Sequence, residues 1–221
     1  VRKKNKWLLL GVSAALSGSI LAGCMGPSPS EQAYDALENV VSKERPFKEE
    51  QKPLLELEQK ENAIYNEIIA LGMKDFDKIK SLSSDALKLV GDRKERIEKE
   101  QKSIEDSERA FKEAEDALSK IEDNKAEKEA AELKKLMNER YKVYSDLASS
   151  YKSAIALDEE LYQMFQNKEL KLEELEAQIT KINASYKEVM KLNQSFNEYT
   201  GKYNDAKKTF YKAADLKVDQ S

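Results

Sequence analysis

The stretch FDKIKSLSSDALKLVGDRKERIEKEQKSIEDSERAFKEAEDALSKI, residues 76–121, decides the fold. Read in alternating steps of three and four, it runs Phe76, Ile79, Ser83, Ala86, Val90, Arg93, Ile97, Glu100, Ile104, Ser107, Phe111, Ala114, Leu118, Ile121. Ten of these fourteen positions are apolar, which marks the seam of a coiled coil or of a bundle helix. Its four polar members predict an imperfect, adaptable seam. Between them, Glu95 with Lys99 and Glu98 with Lys102 stand four residues apart in the favourable order, as on a solvated helix face. Gly91 is the weak point, costing about 1 kcal/mol against Ala unless close packing uses it.

Toward the C-terminus the seam loses phase near Asp123-Asn124, and Asn124-Lys125-Ala126-Glu127 has the spacing of a capping box, so a turn is expected at 122–125. A second seam follows through Ala130, Leu133, Met137, Arg140, Tyr144, Leu147, Tyr151, Ala154, Asp158, Leu161 and Phe165. A third runs from Leu172 through Leu175, Ile179, Ile182, Tyr186, Val189, Leu192, Phe196, Tyr199, Tyr203, Ala206 and Phe210 to Ala213. The phase passes unbroken from Phe165 through Lys168 to Leu172. The pattern therefore allows one very long helix, or a reversal at Gln166-Asn167-Lys168 giving three arms of about 70 Å each. Equal arms can bury one another's seams, and the folded-back form is the expectation.

Toward the N-terminus, Ser28-Pro29-Ser30-Glu31 supplies an N-cap, Pro at the first helical position and Glu at the third. Ala33, Tyr34, Leu37, Val40 and Val41 then form a stripe until Arg45-Pro46, where the residue before Pro leaves helical geometry. Pro53 is the expected start of the next helix. Gly72 stands where a left-handed C-terminal cap belongs. This divides the chain into an N-terminal helical segment at 28–72, a long-helix bundle at 73–215 and a tail at 216–221. With 36% charged residues, 7 Gly and 4 Pro in 221 positions, a many-stranded sheet has too few turn formers. The fold class is all-α, an elongated antiparallel helical bundle or coiled coil.

Before it lies a basic start, Arg2, Lys3, Lys4 and Lys6, and an uncharged apolar run from Trp7 to Ala22. These are the parts of an export signal, expected over residues 1–23. The run falls short of the ~20 apolar residues of a spanning helix, the competing reading. Leu21-Ala22-Gly23-Cys24 resembles the lipobox of bacterial lipoproteins, in which the bond between Gly23 and Cys24 is cut and the Cys24 thiol carries diacylglyceryl. Residues 24–27 then form the lipidated Cys and a short spacer. Two acyl chains give lasting attachment where one gives only marginal binding.

Loss of residues 1–23 removes four of the 38 basic residues and none of the 42 acidic ones, leaving a formal balance of -8. Such a body is repelled by nucleic acid, by anionic lipid heads and by anionic wall polymer as a whole, so any wall contact is expected to be local. The chain has no His and a single Cys, which removes the commonest general base and any multi-Cys metal site. Glu159-Glu160 and Glu173-Glu174 point about 100° apart on a helix and do not converge. Gly-rich phosphate loops and nucleophile elbows are missing. The sequence offers no catalytic residue, no metal site and no cofactor beyond the lipid.

Leu157-Asp158-Glu159-Glu160-Leu161-Tyr162, Phe196-Asn197-Glu198-Tyr199-Thr200, Lys202-Tyr203-Asn204 and Phe210-Tyr211-Lys212 are similar to the YkyA-type lipoproteins of low-GC Gram-positive bacteria, to which cell-wall binding is ascribed. The resemblance spans the mature chain. It implies a lipid-anchored protein at the outer face of the cytoplasmic membrane, facing the wall, and brings no ligand-binding residues with it.

Eight of the ten Tyr lie at or beyond position 141, and a Tyr ring can stack on a sugar while its hydroxyl hydrogen-bonds. Tyr144, Tyr151, Tyr186, Tyr199 and Tyr203 occupy seam positions, where a ring fills space between helices. Tyr141, Tyr162 and Tyr211 flank the seams and are the candidates for exposure and ligand contact. Two partner classes remain open: peptidoglycan or an associated polymer, and another envelope protein scaffolded by the helices. The seam residues Glu100, Arg140, Asp158 and Lys168 leave room for such partner choice.

Overall fold

The computed structural model describes residues 26–216; the expected leader and the lipobox residues Gly23 and Cys24 lie outside them. Among the described residues there are five α-helices and no strand: α1 Pro29–Lys43, α2 Arg45–Leu71, α3 Phe76–Leu118, α4 Asn124–Met164 and α5 Leu172–Ala213. A 3-10 turn at Gly72–Lys74 joins α2 to α3. None of these helices is long and apolar enough to cross a membrane.

The caps follow the local chemistry. The Ser28 hydroxyl accepts from the Glu31 N–H at 3.2 Å, and the Glu31 carboxylate accepts from the Ser28 N–H at 2.7 Å, a complete capping box ahead of Pro29. Gly72 has φ +54°, the left-handed geometry that ends α2 without a Cβ penalty. At the next corner α3 stops at Leu118, earlier than the seam suggests, and the cap of α4 is Asp123 rather than Asn124. The Asp123 carboxylate accepts from the N–H groups of Lys125 (3.1 Å) and Ala126 (2.9 Å). Asn167 turns the chain between α4 and α5, its side-chain oxygen accepting from the Glu169 N–H at 3.0 Å.

Pro53 does not start a helix; it lies inside α2. The start is at Arg45-Pro46, where Pro sits in the first turn and its missing N–H costs nothing. The break between α1 and α2 has a definite cause. In a continuous helix the Phe47 N–H would bond to the Lys43 carbonyl. Instead the Ser103 hydroxyl of α3 stands between them, accepting from Phe47 N–H at 3.1 Å and donating to Lys43 O at 2.6 Å. A side chain inserted into the helical ladder is a recognised origin of a kink.

The described residues form two compact units. Unit 1 comprises Glu49–Glu100 and Asp146–Asn193; unit 2 comprises 26–48, Gln101–Ser145 and 194–216. Both draw residues from either side of position 72. In unit 1, Glu67 meets Lys78 while Gln51 meets Glu100, Ser84 meets Gln166 while Arg93 meets Asp158, and the Leu157 carbonyl meets Gln178 while Tyr151 meets Tyr186. Each sequence neighbour is thus antiparallel. Unit 2 has the same sense: Ser119 meets Lys134 while Ser107 meets Tyr141, and Tyr144 meets Phe196 while Arg140 meets Thr200. The chain therefore reverses in the 165–171 connection. The apolar seams form the interior, with Ile79, Val90, Ile97, Leu161 and Val189 buried in unit 1 and Leu37, Phe111, Leu133, Met137 and Phe210 in unit 2.

Gly91 and Gly201 have no packing role: a Cβ added at either meets nothing within 4 Å. Gly91→Ala and Gly201→Ala are each expected to stabilise the chain by about 0.5–1 kcal/mol, raising the denaturant midpoint at constant slope. A lowered midpoint would show that something packs against these helix faces in solution.

Candidate functional site

Of the polar residues that interrupt the seams, Lys168 is exposed and the rest are buried. Ser83, Arg93, Glu100, Ser107, Arg140 and Asp158 are each no more than 3% exposed. An unpartnered charge at such depth costs several kcal/mol, and Arg93, Arg140 and Asp158 are each matched by charges from neighbouring helices. The matching produces one polar centre in each unit.

In unit 1 the centre is Arg93 of α3. Its Nη1 donates to Glu61 of α2 at 2.5 Å and to Asp158 of α4 at 2.9 Å. Its Nη2 donates to the hydroxyls of Tyr186 of α5 at 2.6 Å and Tyr151 of α4 at 3.0 Å, and Nε reaches Tyr151 at 3.3 Å. Each hydroxyl passes the chain of bonds on, Tyr151 donating to Glu58 and Tyr186 to Asp158, while Tyr162 donates to Glu61 at 3.2 Å. Burial opposes the Arg93 charge, but Tyr151, Tyr186, Glu61 and Asp158 outweigh it and hold the guanidinium pKa well above its ordinary value. Burial also pushes the Tyr151 and Tyr186 hydroxyls well up, so both stay protonated donors. Four helices meet at one guanidinium.

In unit 2 the centre is Arg140 of α4. Its two terminal nitrogens grip Glu44, at the α1–α2 kink, in a bidentate pair of 2.6 and 2.8 Å, and its Nε donates to Thr200 of α5 at 2.9 Å. The guanidinium carbon lies 4.7 Å from the centre of the Phe196 ring. Ser107 of α3 donates to Glu44 at 2.9 Å and pairs with the Tyr141 hydroxyl at 2.7 Å. The kink and the centre are one construction, since Ser103 breaks the helix directly beside the glutamate that Arg140 holds.

The exposure expected of Tyr141, Tyr162 and Tyr211 is not found. They are 5%, 0% and 4% exposed. Each follows a seam residue, Arg140, Leu161 or Phe210, and a helix in a bundle faces two neighbours, so the position flanking the seam is buried as well. Tyr141 packs edge-on against Phe111, whereas Tyr162 meets Phe165 and Tyr211 meets Tyr34 at a tilt, the Tyr211 hydroxyl donating to Glu38 at 3.0 Å. Burial raises the Tyr141 and Tyr211 hydroxyls above the usual range, with Glu44 and Glu38 adding to it. Tyr162 belongs to unit 1, and Tyr141 and Tyr211 to unit 2, where Tyr203 lies close to both. Of the ten Tyr, only Tyr65 and Tyr199 keep partial exposure.

In both centres the carboxylates are engaged by guanidinium or hydroxyl donors. Among the described residues no group of three or more His, Cys, Asp or Glu could hold a metal ion. Sequence reading noticed the polar seam positions but left their partners open. The deciding signal was that cations and acids interrupt different seams at once, Arg93 on one and Asp158 on another.

A family profile, YkyA, described as "Putative cell-wall binding lipoprotein", matches residues 28–213. The uncharacterized lipoprotein YkyA of Bacillus subtilis strain 168 is 37% identical over 219 residues, which is 99% of this chain and 98% of that protein. A crystal structure of a conserved protein of unknown function from Staphylococcus aureus superposes with a TM-score of 0.73 at 22% identity, covering 85% of this chain and 98% of that one. At that identity it speaks to the fold alone.

Proposed function

Because the chain belongs to the YkyA family of lipoproteins, we propose that it is a non-catalytic envelope protein whose helical body contacts peptidoglycan or an associated wall polymer. In this reading the bond between Gly23 and Cys24 is cut, Cys24 carries diacylglyceryl, and the body stands on the outer face of the cytoplasmic membrane. The observation that carries it is the extent of the family match, residues 28–213, which is the helical body itself and not the leader.

The alternative, a scaffold for another envelope protein, asks for an exposed apolar seam. Most of the seam length is internal, and the large hydrophobic residues that stand exposed are Ile69, Met190 and Leu172, the first residue of the third seam. A wall contact would instead use the polar exterior. Tyr199, half-buried with the Lys202 ammonium 5.2 Å from its ring centre, is the place where a sugar ring could stack beside a cation.

The test is sedimentation of the Cys24-deleted body with insoluble sacculi, with and without teichoic acids, at low and moderate salt. Saturable pelleting that survives moderate salt is expected, because the contact is local and the net charge of the body opposes it. Absence of pelleting under all four conditions would overturn wall binding.

A further inference from the structure

Among the described residues, unit 1 buries the carboxylates of Glu61, Glu100 and Asp158, with Glu58 largely covered, around the guanidinium of Arg93. Arg93 serves Glu61 and Asp158 directly and lies 3.8 Å from Glu58. Glu100 of α3 has no such partner. It is 3% exposed, and its hydrogen bond comes from a neutral amide, Gln51 of α2, at 2.7 Å.

The groups that face it make ionisation harder. From α2 they are Glu50 and Glu58, both acidic. Arg96, on α3 itself, is already paired with Glu50 at 2.7 Å. The titratable groups that α4 and α5 contribute to this network are Tyr151, donating to Glu58, Tyr162, donating to Glu61, and Asp158, which Arg93 holds, from α4, and Tyr186, donating to Asp158, from α5. Unit 2 differs, since its buried Glu44 and Arg140 cancel in a bidentate pair.

We propose that Glu100 is a proton-operated latch of unit 1: with its proton it lets α2 and α3 close around Gln51, and its ionisation loosens that contact while unit 2 is unaffected. Burial first, and then the Glu50 charge, push its carboxyl up to about 8 from an ordinary 4.5. A folded-state value above the unfolded one means that the folded form binds the extra proton. The stabilisation is complete below pH 4.5, declines as pH rises and is gone once pH passes about 8.

Hydrogen exchange of the whole chain between pH 5.5 and 8.5, corrected for intrinsic rates, tests this. Protection in residues 49–60 and 92–100 is expected to fall by up to about tenfold per pH unit, while residues 133–145 and 196–210 hold steady. Glu100→Gln keeps the shape and removes the charge, and should make the first two segments as insensitive to pH as the others. An equal decline in both units, or an undiminished one in Glu100→Gln, would overturn the latch. Carboxyl carbon NMR of Glu100 in the unaltered chain is an independent check, and a titration midpoint below pH 5.5 would overturn it whatever the variant does.

Discussion

Arg93→Met is expected to destabilise unit 1 by about 3–5 kcal/mol, the range for breaking a buried ion pair by removing one partner. The volume change is small, so the loss measures charge. Glu61 and Asp158, with side chains 2% and 1% exposed, are left without the cation that both contact, and the Tyr151 and Tyr186 hydroxyls lose the donor that oriented them. Arg93→Lys should fare only partly better, because one ammonium cannot span two carboxylates and two hydroxyls with the fixed fork of a guanidinium. Denaturant unfolding, followed by hydrogen exchange in residues 49–100 and 146–193, reads the effect. If the orphaned charges are the cause, adding Glu61→Gln and Asp158→Asn to Arg93→Met should recover a large part of the loss. A loss under about 1 kcal/mol for Arg93→Met would contradict the central position given to this residue.

The same residues show how far sequence carries. The seams from Phe76, Ala130 and Leu172 were legible because a three-four repeat of apolar residues has one physical meaning, and their antiparallel packing followed from arms of equal length. Ser28 and Gly72 were legible because a cap is written within four residues. Pro53 misled because a Pro just ahead of an apolar stripe reads as a first-turn residue, whereas Pro46 already fills that place and α2 runs on through Pro53 to Leu71. Ser103 could not be recognised as the agent of the α1–α2 kink, since it acts on Lys43 and Phe47 from another helix. The flanking tyrosines failed for a related reason. Whether position 141, 162 or 211 sees water depends on how many neighbours a helix has, and a single helical repeat does not count them.

In unit 2 the largest expected effect falls on the pair at the kink. Arg140→Met should cost about 3–5 kcal/mol, since it strands Glu44 beside Ser107 with no counter-charge. Glu44→Gln alone should cost less, because the amide keeps an acceptor for Arg140 and the guanidinium retains Thr200 and the Phe196 ring. The informative variant is the double one. With both charges gone, nothing charged remains buried at the kink, and a buried pair replaced by neutral groups is often close to neutral in stability. The double variant should therefore be more stable than Arg140→Met alone, a coupling of about 1–3 kcal/mol. Strictly additive losses would mean that the bidentate geometry is incidental and that packing around the Met137 and Phe196 side chains holds the unit. Recovery would mean that Arg140 and Glu44 fix which helices meet at the kink, and that the apolar seams supply most of the stability.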